Sequence, residues 1–231
     1  MLFADSHCGL ADFMVKAFRL CLTLALLTGI SFVLQPARPV HAAALTVTTT
    51  TDELESPGTG CSLREAITNA NNNADTYPEC HTSGTYGNDG IILPAGTYVL
   101  NIGATDEDDN VEGDLDILNG GDLIIEGETG AIIDGNNTGR VFHVCPAGSC
   151  DIQVILGGVT IQNGNAWSGG GVHSNGGTTT LDTCTIRDNT ATDRGGGILN
   201  SSDATITLDE STISDNTADY GWYAQDGGRL L

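Results

Sequence analysis

The feature that most constrains this chain is a block of about 26 residues that occurs twice in succession near its end. Both copies open on Gly-Gly-Gly, at 169–171 and 195–197, and both end on Asp-Asn-Thr-Ala, at 188–191 and 215–218. A fainter copy lies upstream, between Leu156 and Ala166. A fixed period of this length indicates a solenoid, in which each unit buries its apolar face against its neighbours.

The repeat unit is predicted to consist of β-strands. Each copy is rich in Thr, Val and Ile, contains no Pro and breaks at Gly and Asn clusters. Alternation places equivalent residues in stacked columns. The predicted columns are Leu156, Leu181 and Leu208; Ile161, Ile186 and Ile213; and Val159, Cys184 and Ser211. Parallel strands joined without helices at this period predict an all-β fold, a right-handed parallel β-helix.

Two features of the repeat are predicted to be structural. Asn189 and Asn216 fall at matching corners, where Asn tolerates the left-handed conformation and its amide can bond to the coils above and below. Cys184 occupies an inward column, which favours a small buried residue over a reactive thiol.

The first 42 residues have the composition of a secretory leader. Lys16 and Arg19 precede a mostly apolar run from Leu20 to Leu34, and Val40-His41-Ala42 has the small residues of a cleavage site. We expect translation to start at Met14; a permanent membrane anchor is the weaker alternative, because the run is short. The expected organisation is a leader over 1–42, a cap segment with a helix over 43–89, β-helix coils over 90–220, and an incomplete or aberrant tail over 221–231. Since the tail starts a coil without closing it, we expect a truncated piece of a longer array.

The chain is strongly acidic, with a formal net charge of −22 at pH 7. Nucleic acid and anionic membrane surfaces need basic patches, so both are disfavoured as partners. Arg187 and Arg194 lie near each other along one predicted coil, but Ser214 replaces Arg187 one coil later and no basic cleft develops. A lyase acting on acidic polysaccharide, which would need such groups, is therefore the alternative and not the first choice.

Acidic residues are densest between positions 106 and 116. Several neighbouring carboxylates could supply the oxygen ligands that Ca²⁺ takes, although the EF-hand pattern fails because Val111 stands where its glycine belongs. The candidate calcium ligands are Asp106, Asp108, Asp109 and Asp114, and a solvated acidic loop is the alternative. No other cofactor is expected. His143 and His173 have no partner at ligand spacing along the chain and are expected to be structural or surface residues.

Four of the cysteines beyond the leader are predicted to form disulfides in an exported protein. The expected pairs are Cys61 with Cys80 and Cys145 with Cys150. A zinc site is the competing interpretation, and no Cys-x-x-Cys or paired histidines accompany these residues.

The most distinctive peptide begins at Cys61. Ser62 followed by Glu65 is a capping box, and apolar residues recur at helical spacing until the asparagines at 71–73 end the helix. A solenoid exposes apolar core at its open ends, so an amphipathic helix is predicted to cover one of them.

This peptide, Cys-Ser-Leu-Arg-Glu-Ala at 61–66, resembles the signature of a family of bacterial exported proteins named for that motif (CSLREA). The peptides at 93–98, 113–117, 133–136 and 140–144 support the resemblance, and the Gly-Gly-Val and Gly-Gly-Ile pairs at 170–172 and 196–198 are similar, more loosely, to repeats of chlamydial polymorphic outer membrane proteins. The resemblance implies a secreted or surface-associated protein with a pectin-lyase-like β-helix. It implies no particular activity, because this fold hosts enzymes and adhesins alike.

The expected function is therefore that of a bacterial secreted or cell-surface module for adhesion or carbohydrate interaction, without catalytic activity. A sugar-stacking surface is predicted from four aromatic residues, because aromatic faces suit the apolar side of a pyranose. These are Trp167, Tyr220, Trp222 and Tyr223. The alternative is an extracellular polysaccharide lyase, or a glycoside hydrolase whose paired carboxylates would be stacked acids such as Asp182 with Asp209.

Overall fold

Strands are the main regular structure of the computed structural model, which describes residues 42–103, 107–118 and 120–219. The strands of the first half are β1 (Ala42–Thr46), β2 (His81–Ser83), β3 (Thr85–Leu93), β4 (Gly96–Val99), β5 (Leu115–Ile117), β6 (Asp122–Gly127), β7 (Ala131–Asp134), β8 (Phe142–Val144) and β9 (Gln153–Gly157). Those of the second half are β10 (Thr160–Gln162), β11 (Asn165–Ser168), β12 (Val172–Ser174), β13 (Thr178–Asp182), β14 (Thr185–Arg187), β15 (Thr190–Arg194), β16 (Ile198–Asn200), β17 (Thr205–Asp209), β18 (Thr212–Ser214) and β19 (Thr217–Ala218). One α-helix, α1 (Leu63–Asn72), and a 3-10 turn (Pro78–Cys80) complete the described elements.

The strands stack into the sheets of a parallel β-helix. The longest sheet runs in the order β17-β13-β9-β6-β3-β1-β2, and a second runs β18-β14-β10-β7-β4. The two others run β16-β12-β8-β5 and β11-β15-β19. Pairing is parallel throughout except between β1 and β2. The predicted all-β parallel β-helix is confirmed.

The predicted columns are present in register. Leu181 pairs with Leu156 on one side and Leu208 on the other, and Ile186 lies between Ile161 and Ile213 in the same way. The first two members of each column are fully buried, whereas Leu208 is 48% and Ile213 45% exposed in the last described coil. The core is therefore formed by side chains that pack against their own equivalents one coil away.

The corner asparagines are structural, as predicted, but the predicted backbone conformation is wrong by one residue. The Asn189 side chain donates to Ile161 O at 3.1 Å and accepts from Gly164 N at 2.8 Å, and Asn216 repeats the first contact with Ile186 O at 2.8 Å. The left-handed residues are Asp188 (φ 55°) and Asp215 (φ 54°). Each asparagine follows the turn, so its amide points inward to the neighbouring coil.

The predicted cap helix is confirmed together with its capping box. Ser62 Oγ accepts from Glu65 N at 3.1 Å, and a Glu65 carboxylate oxygen accepts from Ser62 N at 2.8 Å. The helix ends at Asn73, whose left-handed conformation (φ 51°) forms the C-cap. Its buried face, which includes Leu63 and Ile67, belongs to the same core as the coils.

Both predicted disulfides, Cys61 with Cys80 and Cys145 with Cys150, are present. Cys184 is free and buried, and its thiol donates to Leu156 O at 3.0 Å. Burial raises the pKa of this thiol, which fits the predicted core role.

Within the described part of the chain, no helix has the length and apolar character needed to cross a membrane. The predicted leader up to residue 41 and the predicted tail at 221–231 lie outside the described residues, as do Asp106, Tyr220, Trp222 and Tyr223.

Candidate functional site

A carboxylate and an imidazole face each other on neighbouring strands near the cap. Asp116, in the middle of β5, is the register partner of His143, in the middle of β8. The flanking residues of both strands point into the core, so these two side chains lie on the outer face of their sheet. Both are nevertheless buried, with exposures of 0% and 6%. Ionisable groups are seldom buried in this way without a partner or a function.

The loop before β5 and the cap helix cover this pair. Asn110 N donates to Asp116 Oδ2 at 3.0 Å, and Asn110 Oδ1 accepts from Asp116 N at 3.2 Å. The amide of Asn110 also donates to Arg64 O at 3.0 Å and Thr68 Oγ1 at 2.9 Å, on α1. Asn71, near the end of the helix, donates to Asp116 O at 2.8 Å. The site therefore lies where the cap, the acidic loop and the first coils meet.

Three potential ligand atoms converge there. His143 Nδ1 lies 3.4 Å from Asp108 Oδ1 and 3.6 Å from Asp116 Oδ1, and the three atoms all lie within 4.8 Å of one another. Among the described residues, Asp116 Oδ1 and His143 Nδ1 have no hydrogen-bond partner although both are buried. The Asp108 side chain is 64% exposed and leaves one side of the group open to solvent.

The surrounding charges are unevenly balanced. Arg140 Nη1 donates to Asp114 Oδ2 at 2.7 Å, and the guanidinium of Arg64 is bound by Asp52 and by two backbone carbonyls. Burial, followed by the charge of Asp114, raises the pKa of Asp116 to about 8. Burial, followed by the charge of Arg140, lowers the pKa of His143 to about 3. The imidazole is therefore neutral at physiological pH.

The other edge of the imidazole is held by the next coil. His143 Nε2 lies 3.1 Å from Asn175 Nδ2, which also donates to Pro146 O at 3.4 Å. His173 stacks on His143 with ring centroids 4.9 Å apart and an interplanar angle of 8°. These contacts fix the plane of the ring and aim Nδ1 at the two carboxylates.

The predicted calcium ligands are not gathered around one point in the described structure. Asp108 belongs to the group at His143, whereas Asp114 binds Arg140. Asp109 is exposed, and its backbone N–H donates to Glu107 Oε2 at 2.7 Å.

The predicted calcium ligands do not include Asp116 or His143. The sequence predicts His143 as a structural or surface residue without a partner at ligand spacing along the chain, and the fold brings its Nδ1 to 3.4 Å from Asp108 Oδ1 and 3.6 Å from Asp116 Oδ1. The signal was available in the spacing, since the two residues are 27 positions apart, the same interval that separates Ile186 from Ile213. Extending the coil register upstream would have stacked them.

A second surface feature is Trp167, which is 71% exposed. It lies on β11 where the pairing with β15 is irregular, between the pairs Ala166–Ala191 and Ser168–Arg194. Arg194 is also largely exposed and lies 3.5 Å from the carboxylate of Asp193. A large aromatic side chain is thus exposed on β11, an end strand of its three-stranded sheet, and the next strand, β15, carries Asp193 and Arg194.

The groups considered for polysaccharide cleavage are held in local ion pairs or in repeat positions. Arg187 pairs with the adjacent Asp188, and Arg194 with the adjacent Asp193. Asp182 and Asp209 are register partners, as predicted for repeat positions.

Comparison with protein-family models, with curated proteins and with solved structures finds no match to this chain.

Proposed function

We propose that this protein is a bacterial secreted or cell-surface module of the CSLREA type that binds carbohydrate, with Trp167 as the principal contact, and that it acts without catalysis. The exposed indole of Trp167 is the observation that carries the proposal. An exposed indole offers an apolar face on which a pyranose can stack, and that stacking removes apolar surface from water.

The surroundings of Trp167 suit a neutral sugar. Asn165 is exposed on the same strand, and β15, the strand that pairs with β11, carries the charged side chains of Asp193 and Arg194. Pyranose rings combine an apolar face with a rim of hydroxyls, and a ring stacked on an indole needs such polar neighbours. The net charge of −22 disfavours long polyanionic glycans.

Export is supported by the basic and apolar leader and by two disulfides, which persist in oxidising compartments. Determining the N-terminus of the exported protein by mass spectrometry tests this part of the proposal, with Ala43 as the expected first residue. An uncleaved leader in protein recovered from the cell interior would contradict it.

The carbohydrate proposal is tested on a glycan array with four forms of the full chain. The unmodified protein is expected to bind, Trp167→Ala to lose at least about tenfold in affinity, and Trp167→Tyr to retain part of it because an aromatic face remains. Ile124→Ala is the matched control, since Ile124 is an exposed apolar residue (44%) on a different sheet. Absence of binding by the unmodified protein, or equal losses in Trp167→Ala and Ile124→Ala, would end the proposal.

Incubation with pectate and other uronans provides the opposing test. An unsaturated product seen by ultraviolet absorbance, or new reducing ends, with loss of either on changing Arg187→Ala, would replace the binding proposal by an enzymatic one.

A further inference from the structure

The geometry points to a binding site for a divalent first-row transition ion, of which Zn²⁺ is the probe, formed by Asp108, Asp116 and His143. It lies at the junction of the cap helix and the first coils and is independent of the proposed carbohydrate surface. One imidazole nitrogen and two carboxylate oxygens would be the protein ligands.

Two buried polar atoms at this site lack hydrogen bonds within the described part of the chain. Asp116 Oδ1 and His143 Nδ1 face each other without a hydrogen bond from any described residue. A buried polar atom left in that state costs about 1–3 kcal/mol, and native proteins contain few of them. Two such atoms directed at one point indicate that something else binds there.

The distances from His143 Nδ1 to the two carboxylate oxygens also indicate an ion. A direct N–H···O bond spans about 2.7–3.2 Å, and the separations of 3.4 and 3.6 Å from His143 Nδ1 to the two carboxylate oxygens are longer. Ligands bound to one tetrahedral ion at about 2.0–2.1 Å lie about 3.3 Å from one another. The observed separations are thus closer to those of two ligands on one ion than to those of a hydrogen bond.

The chemistry of the three donor atoms determines which ions the site would bind. Ca²⁺ and Mg²⁺ bind oxygen almost exclusively, whereas imidazole combined with carboxylate is typical of Zn²⁺ and its first-row neighbours. Arg140 and Arg64 are bound by Asp114 and Asp52, so neither cation reaches Asp116 Oδ1.

The contacts around the site specify how it would load. In the described arrangement Asn175 Nδ2 donates to His143 Nε2, which leaves the imidazole proton on Nδ1. Metal binding at Nδ1 requires that proton to move to Nε2, and the Asn175 amide must then turn over and accept it through Oδ1. The carboxylate of Asp108, on the exposed side of the site, would be the third protein ligand. It leaves a further coordination position for water.

The test is calorimetric titration of the full chain, prepared without a polyhistidine tag and stripped with EDTA, with Zn²⁺ and in parallel with Ca²⁺. We expect one Zn²⁺ per chain, a raised melting temperature, and at least about tenfold weaker binding in Asp116→Asn, His143→Gln and Asp108→Asn. Asp108→Asn keeps the test valid if a buried variant misfolds, because its side chain is mostly in solvent.

Two controls separate this site from adventitious binding. Asp109→Asn removes an exposed carboxylate from the same loop, and His81→Gln removes the imidazole that lies 2.7 Å from Asp75 Oδ1. Both are expected to bind Zn²⁺ as the unmodified protein does. Visible absorption of bound Co²⁺, which reports its ligands and not protein stability, should change in His143→Gln and not in the controls.

Three results would overturn the assignment. The first is no Zn²⁺ binding by the unmodified protein, and the second is Zn²⁺ binding that survives both Asp116→Asn and His143→Gln. The third is Ca²⁺ binding that is lost in Asp109→Asn while Zn²⁺ binding is unchanged in His143→Gln. The last would favour an oxygen-only calcium loop.

Discussion

The coils after residue 150 and the junction beneath the cap are held together by different interactions. In the coils, a side chain packs on its equivalent one coil away, as Leu181 does on Leu156. At the junction, two buried arginines, three aspartates and a histidine meet, in contacts that the described later coils do not repeat. Repetition distributes stability evenly, whereas the junction concentrates charge, and chemistry that needs a unique arrangement is therefore expected there.

The largest expected effect follows from removing the guanidinium of Arg64 at the junction. Arg64→Met leaves the buried Asp52 carboxylate with only backbone donors and no cation, and removes the donor from two carbonyls; breaking a buried pair costs about 3–5 kcal/mol. Arg187→Met removes a part-exposed arginine that pairs with its sequence neighbour, and should cost less than about 0.5 kcal/mol. Urea denaturation measures both. Should Arg64→Met not fold, Asp52→Asn tests the same contact. Similar losses of unfolding free energy in Arg64→Met and Arg187→Met would mean that the junction contributes no more than the coils.

Within the coils, the contribution of a column residue should depend on its neighbours. Leu181→Ala opens a cavity between two leucines and is expected to destabilise the protein by about 2–5 kcal/mol. Leu208→Ala, at a site that is half exposed, should cost roughly 1 kcal/mol. The same denaturation experiment decides, and equal costs would mean that Leu208 is covered in solution.

The smallest expected effect is a pH dependence at the front of the chain. Burial raises the pKa of Asp89 above its ordinary value of 3.8, so the folded state holds this proton more tightly than the unfolded state. Its contribution to stability is complete below about pH 4 and is lost as pH rises through the folded-state pKa. Asp89→Asn can keep accepting from Ala43 N and should flatten this fall.

Unfolding free energies measured between pH 4 and 7 test that sign. Asp209→Asn, which changes an exposed acid of the last coil, is the control and should leave the profile as it is. Asp116, whose pKa is also raised, should keep part of the fall in every variant, so the slopes are compared; a slope in Asp89→Asn equal to that of the unmodified protein would contradict the prediction.

Sequence reasoning succeeded where spacing alone determines structure. The columns, both disulfides and α1 follow from repeats, cysteine pairing and capping residues that are local or strictly periodic. It did not pair Asp116 with His143, because the coils there keep the length of the repeat but not its characteristic residues. It could not place Asp108, since the path of the loop from 107 to 114 depends on side-chain contacts. In these, Glu107 Oε1 accepts from Val111 N, and the Asn110 amide donates to Arg64 O on α1.

The contacts of Arg64 also impose an order of events on folding. Its guanidinium binds carbonyls 49 and 50 positions further along the chain, so the cap cannot close until the segment around Asp114 has been synthesised. Later coils can each dock on a finished neighbour as they appear. A chain whose synthesis stops before the segment around Asp114 would leave Arg64 without its buried acceptors. The start of the protein would then complete its folding only after the middle has been made.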